Sequence, residues 1–328
     1  MIQKLSVHIS PCTDPYENIA LEELLLHTVE PEELILYLWR NDNTVVIGRN
    51  QNARAECRLD ALRRDGGHLA RRLSGGGAVY HDLGNLNFTF LVHRANYDLP
   101  RQLEVILRGV RELGINAQTS GRNDLTVDGQ KFSGNAFYTS GERKYHHGTL
   151  LIQSDTGKLQ HYLTPDPQKL ESHSVKSVRS RVTALREYCP EITVPQVEKA
   201  LTAGLEVTYG LPALSLNSRR IDSARWELLR QKFASEEWLL GQENDFSRRC
   251  RRRFPWGGAE LCWKVEDGVL ADSAFYTDSL DPDLPGIVTG LLNGCAFDRA
   301  AVEAALSSSS LPTEIRADIV ELVRELFV

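Results

Sequence analysis

The spacing of apolar residues switches repeatedly between a helical and a strand period along this sequence. Ile19, Leu21, Leu24 and Leu25 recur at helical spacing behind Asp14-Pro15-Tyr16-Glu17. There Asp14 is placed to cap, Pro15 fits the first turn and Glu17 completes a capping box. This helix is expected to stop near Val29-Glu30-Pro31. Two strand-like runs, 34–39 and 44–47, flank an Asn41-Asp42-Asn43 turn. Leu103, Ile106, Leu107, Val110 and Leu113 spell a second helix, closed by Gly114. Further strands are expected at 87–92 and 148–152, and helices at 195–209 and 223–233. Leu125-Thr126-Val127, Asp128-Gly129 and Gln130-Lys131-Phe132 predict a hairpin with a two-residue turn. That turn sets Val127 opposite Gln130, Thr126 opposite Lys131, Leu125 opposite Phe132 and Asp124 opposite Ser133.

Around residues 244–253 the texture changes, with Arg248-Arg249-Cys250-Arg251-Arg252-Arg253 followed by Pro255, Gly257 and Gly258. A solvated linker is the preferred reading of this run. A strand at 259–265 and a helix at 313–326 then begin afresh, so the expected domains are 1–245 and 246–328. Hairpins mixed with helices predict an α/β (α+β) class with a mixed, mainly antiparallel sheet and flanking helices.

Composition narrows the function classes. The 328 residues are 41% hydrophobic and 25% charged, enough for a sizeable core. A net charge of -6 argues against nucleic acid and for a small-molecule or protein partner. None of the six cysteines forms a CxxC pair, which argues against a cysteine zinc site and for reduced thiols in a cytoplasm. Glu17, Glu22 and Glu23 interrupt any apolar run of the signal-peptide kind, and no stretch is long enough to span a membrane.

Four stretches carry candidate chemistry. In Arg71-Arg72-Leu73-Ser74-Gly75-Gly76-Gly77-Ala78-Val79-Tyr80-His81-Asp82, the glycines let backbone approach a ligand and point amides at anionic oxygens. Arg72 is placed to clamp a carboxylate or phosphate. His81 and Asp82 point oppositely on a strand, so a mutual hydrogen bond is rejected. In the hairpin, Lys131 and Asp124 are diagonal neighbours, suited to stabilising charge on a transferring phosphoryl or acyl group. Asp124 either orients the lysine or holds Mg²⁺. His146 and His147 alternate faces and cannot share a metal; one hydrogen-bonds near a site or is structural. Residues 174–182 alternate small or apolar with basic residues, as an exposed strand or a loop over a phosphate. Trp39 reads as core or as a pocket wall.

Together these stretches resemble the lipoate–protein ligase A family, a relative of biotin protein ligases. The likeness lies in RRLSGGGAVYHDLGNLNFTF (71–90), GRNDLTV (121–127), KFSGNA (131–136), HHGTLLI (146–152) and SVKSVRSRV (174–182). It extends to WRNDNTVVIGRNQN (39–52) and FPWGGAELCWKVEDG (254–268). The resemblance implies a large catalytic domain and a small α+β C-terminal one. Lipoate and ATP would give lipoyl-AMP, and the acyl group would pass to a lysine of a lipoyl domain of a 2-oxoacid dehydrogenase E2 subunit or of the glycine-cleavage H protein. It implies adenylate contacts from Arg72, Gly77, Ala78, Val79, Tyr80, Asn123, Asp124, Lys131, Ser177, Arg179 and Arg181. Lipoate would meet Trp39, Arg72, Ser74, Gly75, Gly76, His81, Lys131 and His147, with Mg²⁺ at Asp124 and Lys131 as the catalytic residue.

Two other enzymatic readings share the scaffold. A cysteine-dependent octanoyl- or lipoyl-transferase needs a thiolate near the site; no cysteine lies between Leu73 and Tyr188, which leaves Cys57 as its formal candidate. A transferase using preformed lipoyl-AMP shares the motifs. Against a non-enzymatic lipoate-sensing or scaffold protein, the retention of Arg72, the triple glycine and Lys131 together argues that the chemistry is not lost.

Overall fold

In the computed structural model, helix α1 (Pro15–Thr28) begins where Asp14 accepts the amides of Tyr16 and Glu17. The expected capping box does not close, because the Glu17 carboxylate takes the Cys12 thiol instead. The structure describes residues 1–120, 124–153, 156–164, 182–241 and 246–327. They divide into two units. The first comprises Met1–Val46, Cys57–Arg71 and Val79–Leu239; the second comprises Ile47–Glu56, Arg72–Ala78 and Leu240–Val328.

The first unit is built on β1 (Lys4–Ile9), β2 (Glu33–Trp39), β6 (Asn85–His93), β10 (Asn135–Ser140), β11 (Arg143–Leu151) and β12 (Ala213–Ser215). Their order is β10-β11-β6-β2-β1-β12, antiparallel from β10 to β2 and parallel from β2 to β12. β3 (Thr44–Ile47), β4 (His68–Arg71) and β5 (Val79–His81) make a small sheet, and β7 (Ala117–Ser120), β8 (Asp124–Val127) and β9 (Gln130–Ser133) another. This is the mixed, mainly antiparallel architecture expected.

Strand alternation gives the main sheet two faces. Leu34, Leu36, Leu38, Phe88, Phe90 and Val92 meet a core shared with α2 (Leu99–Glu112) and α3 (Val194–Tyr209). The opposite face turns Tyr37, Trp39, Thr89 and His147 towards the side where α1 packs against α4 (Ser223–Ala234). His146 is fully buried on the first face, stacked between Phe90 and Phe137. Burial, then the neighbouring charges of His147 and Lys144, push its pKa down to about 3. Its Nδ1 lies 3.1 Å from Gln102 and its Nε2 2.8 Å from Asn135.

Beneath β1 lies a buried ion pair. Glu33, on β2, accepts both guanidinium nitrogens of Arg220 at 2.6 and 2.8 Å and the hydroxyl of Ser6 at 2.5 Å. Burial alone would raise this carboxyl's pKa; the Arg220, Ser6 and Glu30 hydrogen bonds outweigh it and hold it at about 2.

The hairpin forms as expected, with Asp128 and Gly129 at φ of 50° and 76° in the turn. Its register holds for Val127–Gln130 and Thr126–Lys131 and then slips, so that Leu125 faces Ser133 rather than Phe132. A bulge inserts one residue there, and Phe132 is delivered fully into the core.

In the second unit, β13 (Arg248–Phe254), β14 (Gly257–Glu266) and β15 (Val269–Thr277) form an antiparallel sheet. It packs on α5 (Leu284–Leu292), α6 (Arg299–Ser307) and α7 (Thr313–Arg324) around Trp263, Phe275 and Val288. The arginine run is therefore a strand, not the solvated linker expected. Cys250 and Phe254 face the core, and the charges are offset by distant carboxylates. Arg252 meets Glu321 at 2.7 Å and Arg253 meets Asp278 at 3.2 Å.

Candidate functional site

The candidate residues fall into both units, and each group has its own local geometry. In the second unit, the glycine-rich turn Arg72–Ala78 is held by its neighbours. The Arg72 guanidinium donates to Ser74 Oγ at 3.1 Å, to the Gly75 carbonyl at 2.7 Å and to the Gly77 carbonyl at 2.8 Å. The Gly76 amide donates to the Ser279 carbonyl at 3.0 Å. Ser74 is fully buried, and its carbonyl accepts the Arg49 amide. A Cβ on Gly75 would stand 2.3 Å from the Ser279 carbonyl oxygen, so only glycine permits this approach. Arg71, by contrast, belongs to the first unit and caps the carbonyls of Trp238 and Leu239.

In the first unit, Lys131 sits on β9 with its ammonium 2.7 Å from Asp124 Oδ1 on β8, and both side chains are about two-fifths exposed at 39%. The diagonal pairing expected from the hairpin is thus present. Val182 bridges Lys131 in parallel, and the Thr183 amide donates to the Lys131 carbonyl at 2.9 Å.

Behind the sheet, a buried polar chain links Trp39 to His147. Trp39 Nε1 donates to Thr89 Oγ1 at 3.1 Å, and Thr89 Oγ1 donates to Glu22 Oε1 at 2.7 Å. His147 Nδ1 lies 2.8 Å from the same carboxylate oxygen. A carboxylate only accepts, so His147 carries its proton on Nδ1. Glu22 is fully buried, and among the described residues its Oε2 has no hydrogen-bond partner.

His81 is also buried, with its ring edge-on to Trp39 at 6.3 Å and its Nδ1 3.3 Å from Asn41 Nδ2. Asp82 Oδ1 accepts the Gly84 amide at 2.9 Å. On β5, Val79 pairs with Val46 and Tyr80 with Val45, and the Tyr80 hydroxyl donates to Asn43 Oδ1 at 2.9 Å. Ala78 and Val79 are half-buried. Asn123, Ser177, Arg179 and Arg181 lie outside the described residues.

The structure thus joins Lys131 to Asp124, Trp39 to His81, and Trp39 to His147 through two residues that sequence reasoning missed. Glu22 was noticed only as a break in an apolar run. A carboxylate at an inward helical position, flanked by Ala20, Leu21 and Leu24, was the available signal that it has buried work. Thr89, the polar residue in the run Phe88-Thr89-Phe90, was the strand equivalent. Among the described residues, no group of three or more histidine, cysteine or carboxylate side chains is arranged to hold a metal. No described helix is long and apolar enough to cross a membrane.

Comparison with known proteins matches the chain in two parts. Residues 14–206 match the lipoyl protein ligase A/B catalytic domain, and residues 243–326 match the bacterial lipoate protein ligase C-terminus. A lipoate-protein ligase A of Bdellovibrio bacteriovorus is 40% identical over 315 residues, 94% of this chain and 93% of its own. The structure of P. falciparum LipL1 in complex with lipoate superposes with a TM-score of 0.83 at 29% identity, covering 96% of this chain and 99% of that one. A lipoate-protein ligase A bound with ATP gives 0.63 at 27% identity over 74% of this chain and 99% of its own. A bi-partite ligase from Thermoplasma acidophilum, solved with its E2 lipoyl domain, gives 0.64 at 28% over 76% and 100%. With both of its parts matched in order, the chain belongs to the lipoate protein ligase family.

Proposed function

We propose that this protein is an ATP-dependent lipoate–protein ligase, which activates free lipoate and transfers the lipoyl group to a lysine of a lipoyl-domain protein. The observation that carries this reading is the hairpin lysine beside Asp124, in a chain whose relatives bind lipoate and ATP.

The chemistry follows from charge. A carboxylate resists attack by an amine, so it must first gain a good leaving group. A carboxylate oxygen of lipoate attacks the α-phosphorus of ATP, pyrophosphate departs, and lipoyl-AMP remains. The acceptor's ε-amine then attacks the acyl carbonyl, AMP leaves and the nitrogen loses a proton. The first step brings two anions together, and Lys131 and Arg72 are the cations assigned to it. Lys131 contacts both the acyl oxygen and the α-phosphate in this assignment. Gly77, Ala78, Val79 and Tyr80 hold the adenylate, with Asn123, Ser177, Arg179 and Arg181 completing the nucleotide contacts. Trp39, Ser74, Gly75, Gly76, His81 and His147 enclose the lipoyl arm.

Mg²⁺ would enter as the counter-ion of ATP. Such ions are bound by substrate phosphates plus one or two carboxylates, and the half-exposed Asp124 fits that requirement. We assign lipoyl domains and the H protein as acceptors, residues 1–245 and 246–328 as the functional domains, and a cytoplasmic site of action. A thiol-based transfer through Cys12, Cys250 or Cys262 is disfavoured. Burial first, then neighbouring carboxylates, push Cys12 up to about 11; burial above all raises Cys250 and Cys262 to about 12, the reverse of what a nucleophile needs.

The test is Lys131→Ala, assayed by lipoate-dependent exchange of pyrophosphate into ATP. We expect exchange to fall by at least about a hundredfold while the circular dichroism spectrum is retained. Exchange at the normal rate would remove the lysine from the mechanism.

A further inference from the structure

A chain of amides behind His81 decides where that ring carries its proton. It starts at Asn18, whose Nδ2 donates to two main-chain carbonyls, Arg40 at 2.8 Å and Cys12 at 3.2 Å. Carbonyls can only accept, so the Asn18 amide has one orientation. Its Oδ1 correspondingly accepts the hydroxyls of Ser10 at 2.8 Å and Tyr37 at 3.0 Å. The same Nδ2 stands 3.1 Å from Asn41 Oδ1, so one of its two hydrogens is shared between two acceptors. Turning Asn41 over would bring two amino groups face to face, so its oxygen stays towards Asn18 and its Nδ2 points at His81 Nδ1, 3.3 Å away. A donor at that position requires a bare Nδ1. Asn18, Asn41 and His81 are 1%, 0% and 3% exposed, so water does not readily substitute for any link.

We propose that Asn18 and Asn41 are positioning residues which hold His81 as the neutral Nε2–H tautomer, so that the lipoate site presents a hydrogen-bond donor there rather than an acceptor or a cation. An imidazolium would set a second N–H against the Asn41 amino group; the other neutral tautomer would do the same. His147 is fixed the opposite way, protonated on Nδ1 by Glu22. The two histidines linked to Trp39, one by ring contact and one through Thr89 and Glu22, are therefore set oppositely at Nδ1, bare in His81 and protonated in His147. This rests on the reading of His81 as a lipoate contact. The donor serves the acid, not the nucleotide, so disturbing the relay acts on lipoate use alone.

The experiment uses the full chain labelled with ¹⁵N-histidine, with the His81 resonances assigned by their loss in His81→Gln. At pH 7 we expect Nδ1 bare and Nε2 protonated. Asn41→Asp retains the acceptor for Asn18 but sets an acceptor against the ring, and should transfer a proton to Nδ1. Asn41→Leu leaves Asn18 both main-chain carbonyls and removes the restraint on His81. In pyrophosphate exchange it should raise KM for lipoate by about fivefold, the scale of one neutral hydrogen bond, with KM for ATP unchanged. A wild-type ring protonated on Nδ1, an Asn41→Asp ring with Nδ1 still bare, or an unchanged lipoate KM in Asn41→Leu would each overturn the proposal. Failure of the wild type to exchange pyrophosphate would instead defeat the ligase reading, leaving the spectra to judge the relay by themselves.

Discussion

Replacing Arg220 with methionine should cost stability in a way that depends on pH. The substitution keeps much of the stem but removes the guanidinium that grips Glu33 at 2.6 and 2.8 Å. The carboxyl is held at about 2 against an ordinary 4.5, which favours the folded state by about 3 kcal/mol at roughly 1.4 kcal/mol per tenfold. Its side chain is fully buried, so solvent screening does not discount this figure. Lys4, 3.3 Å away, remains as a partial partner and keeps the loss near the lower end of the 3–5 kcal/mol typical of broken buried pairs. Because the folded value is depressed, the contribution is complete above about pH 4.5 and disappears as the pH falls towards 2. Thermal melts of wild type and Arg220→Met at pH 7 should differ by roughly 6–10 °C. The gap should narrow steadily between pH 4.5 and 2.5. A gap that stays constant across that interval would refute the assignment of the stabilisation to ionised Glu33.

Two further outcomes follow from buried groups. His146 is neutral in the fold down to about pH 3 but protonates near 6.5 once unfolded, so acid favours unfolding by nearly 3 kcal/mol at pH 4.5; His146→Leu should be less stable at pH 7 yet lose less between pH 7 and 4.5, read by circular dichroism melts. Gly75→Ala forces a methyl against the Ser279 carbonyl, a main-chain atom that cannot swing aside, and should cost about 1–3 kcal/mol along with a raised KM for lipoate in the exchange assay.

Much of this fold was legible because its signals are local. The Asp14-Pro15 start, the Asp128-Gly129 turn and the strand 44–47 each depend on neighbours within a few residues, and each stands where expected. What escaped depends on partners far along the chain. The bulge at Phe132 is dictated by the core that receives the ring, not by the turn that opens the hairpin. Five arginines in 248–253 looked solvated because Asp278 and Glu321, which offset two of them, lie 25 and 69 residues away. Glu22 meets Thr89 and His147 at separations of 67 and 125 residues. The candidate lysine and glycine-rich turn were visible as types in a pattern. The amide relay behind His81 was not, since an Asn41-Asp42-Asn43 turn reads identically whether its side chains face solvent or an imidazole.

The second unit is stitched from three stretches of sequence. Thr277 donates its amide to the Asn50 carbonyl, Asn50 returns a bond to the Pro282 carbonyl, and Gly76 reaches Ser279. Cutting the polypeptide after Leu239 would therefore not yield two self-sufficient pieces. The longer fragment would keep its glycine turn stripped of the backbone that braces it, and the shorter would expose the Thr277 amide and the Ser279 and Pro282 carbonyls without these partners. Any version of this protein made as two chains has to be reassembled before either piece regains all of its native contacts.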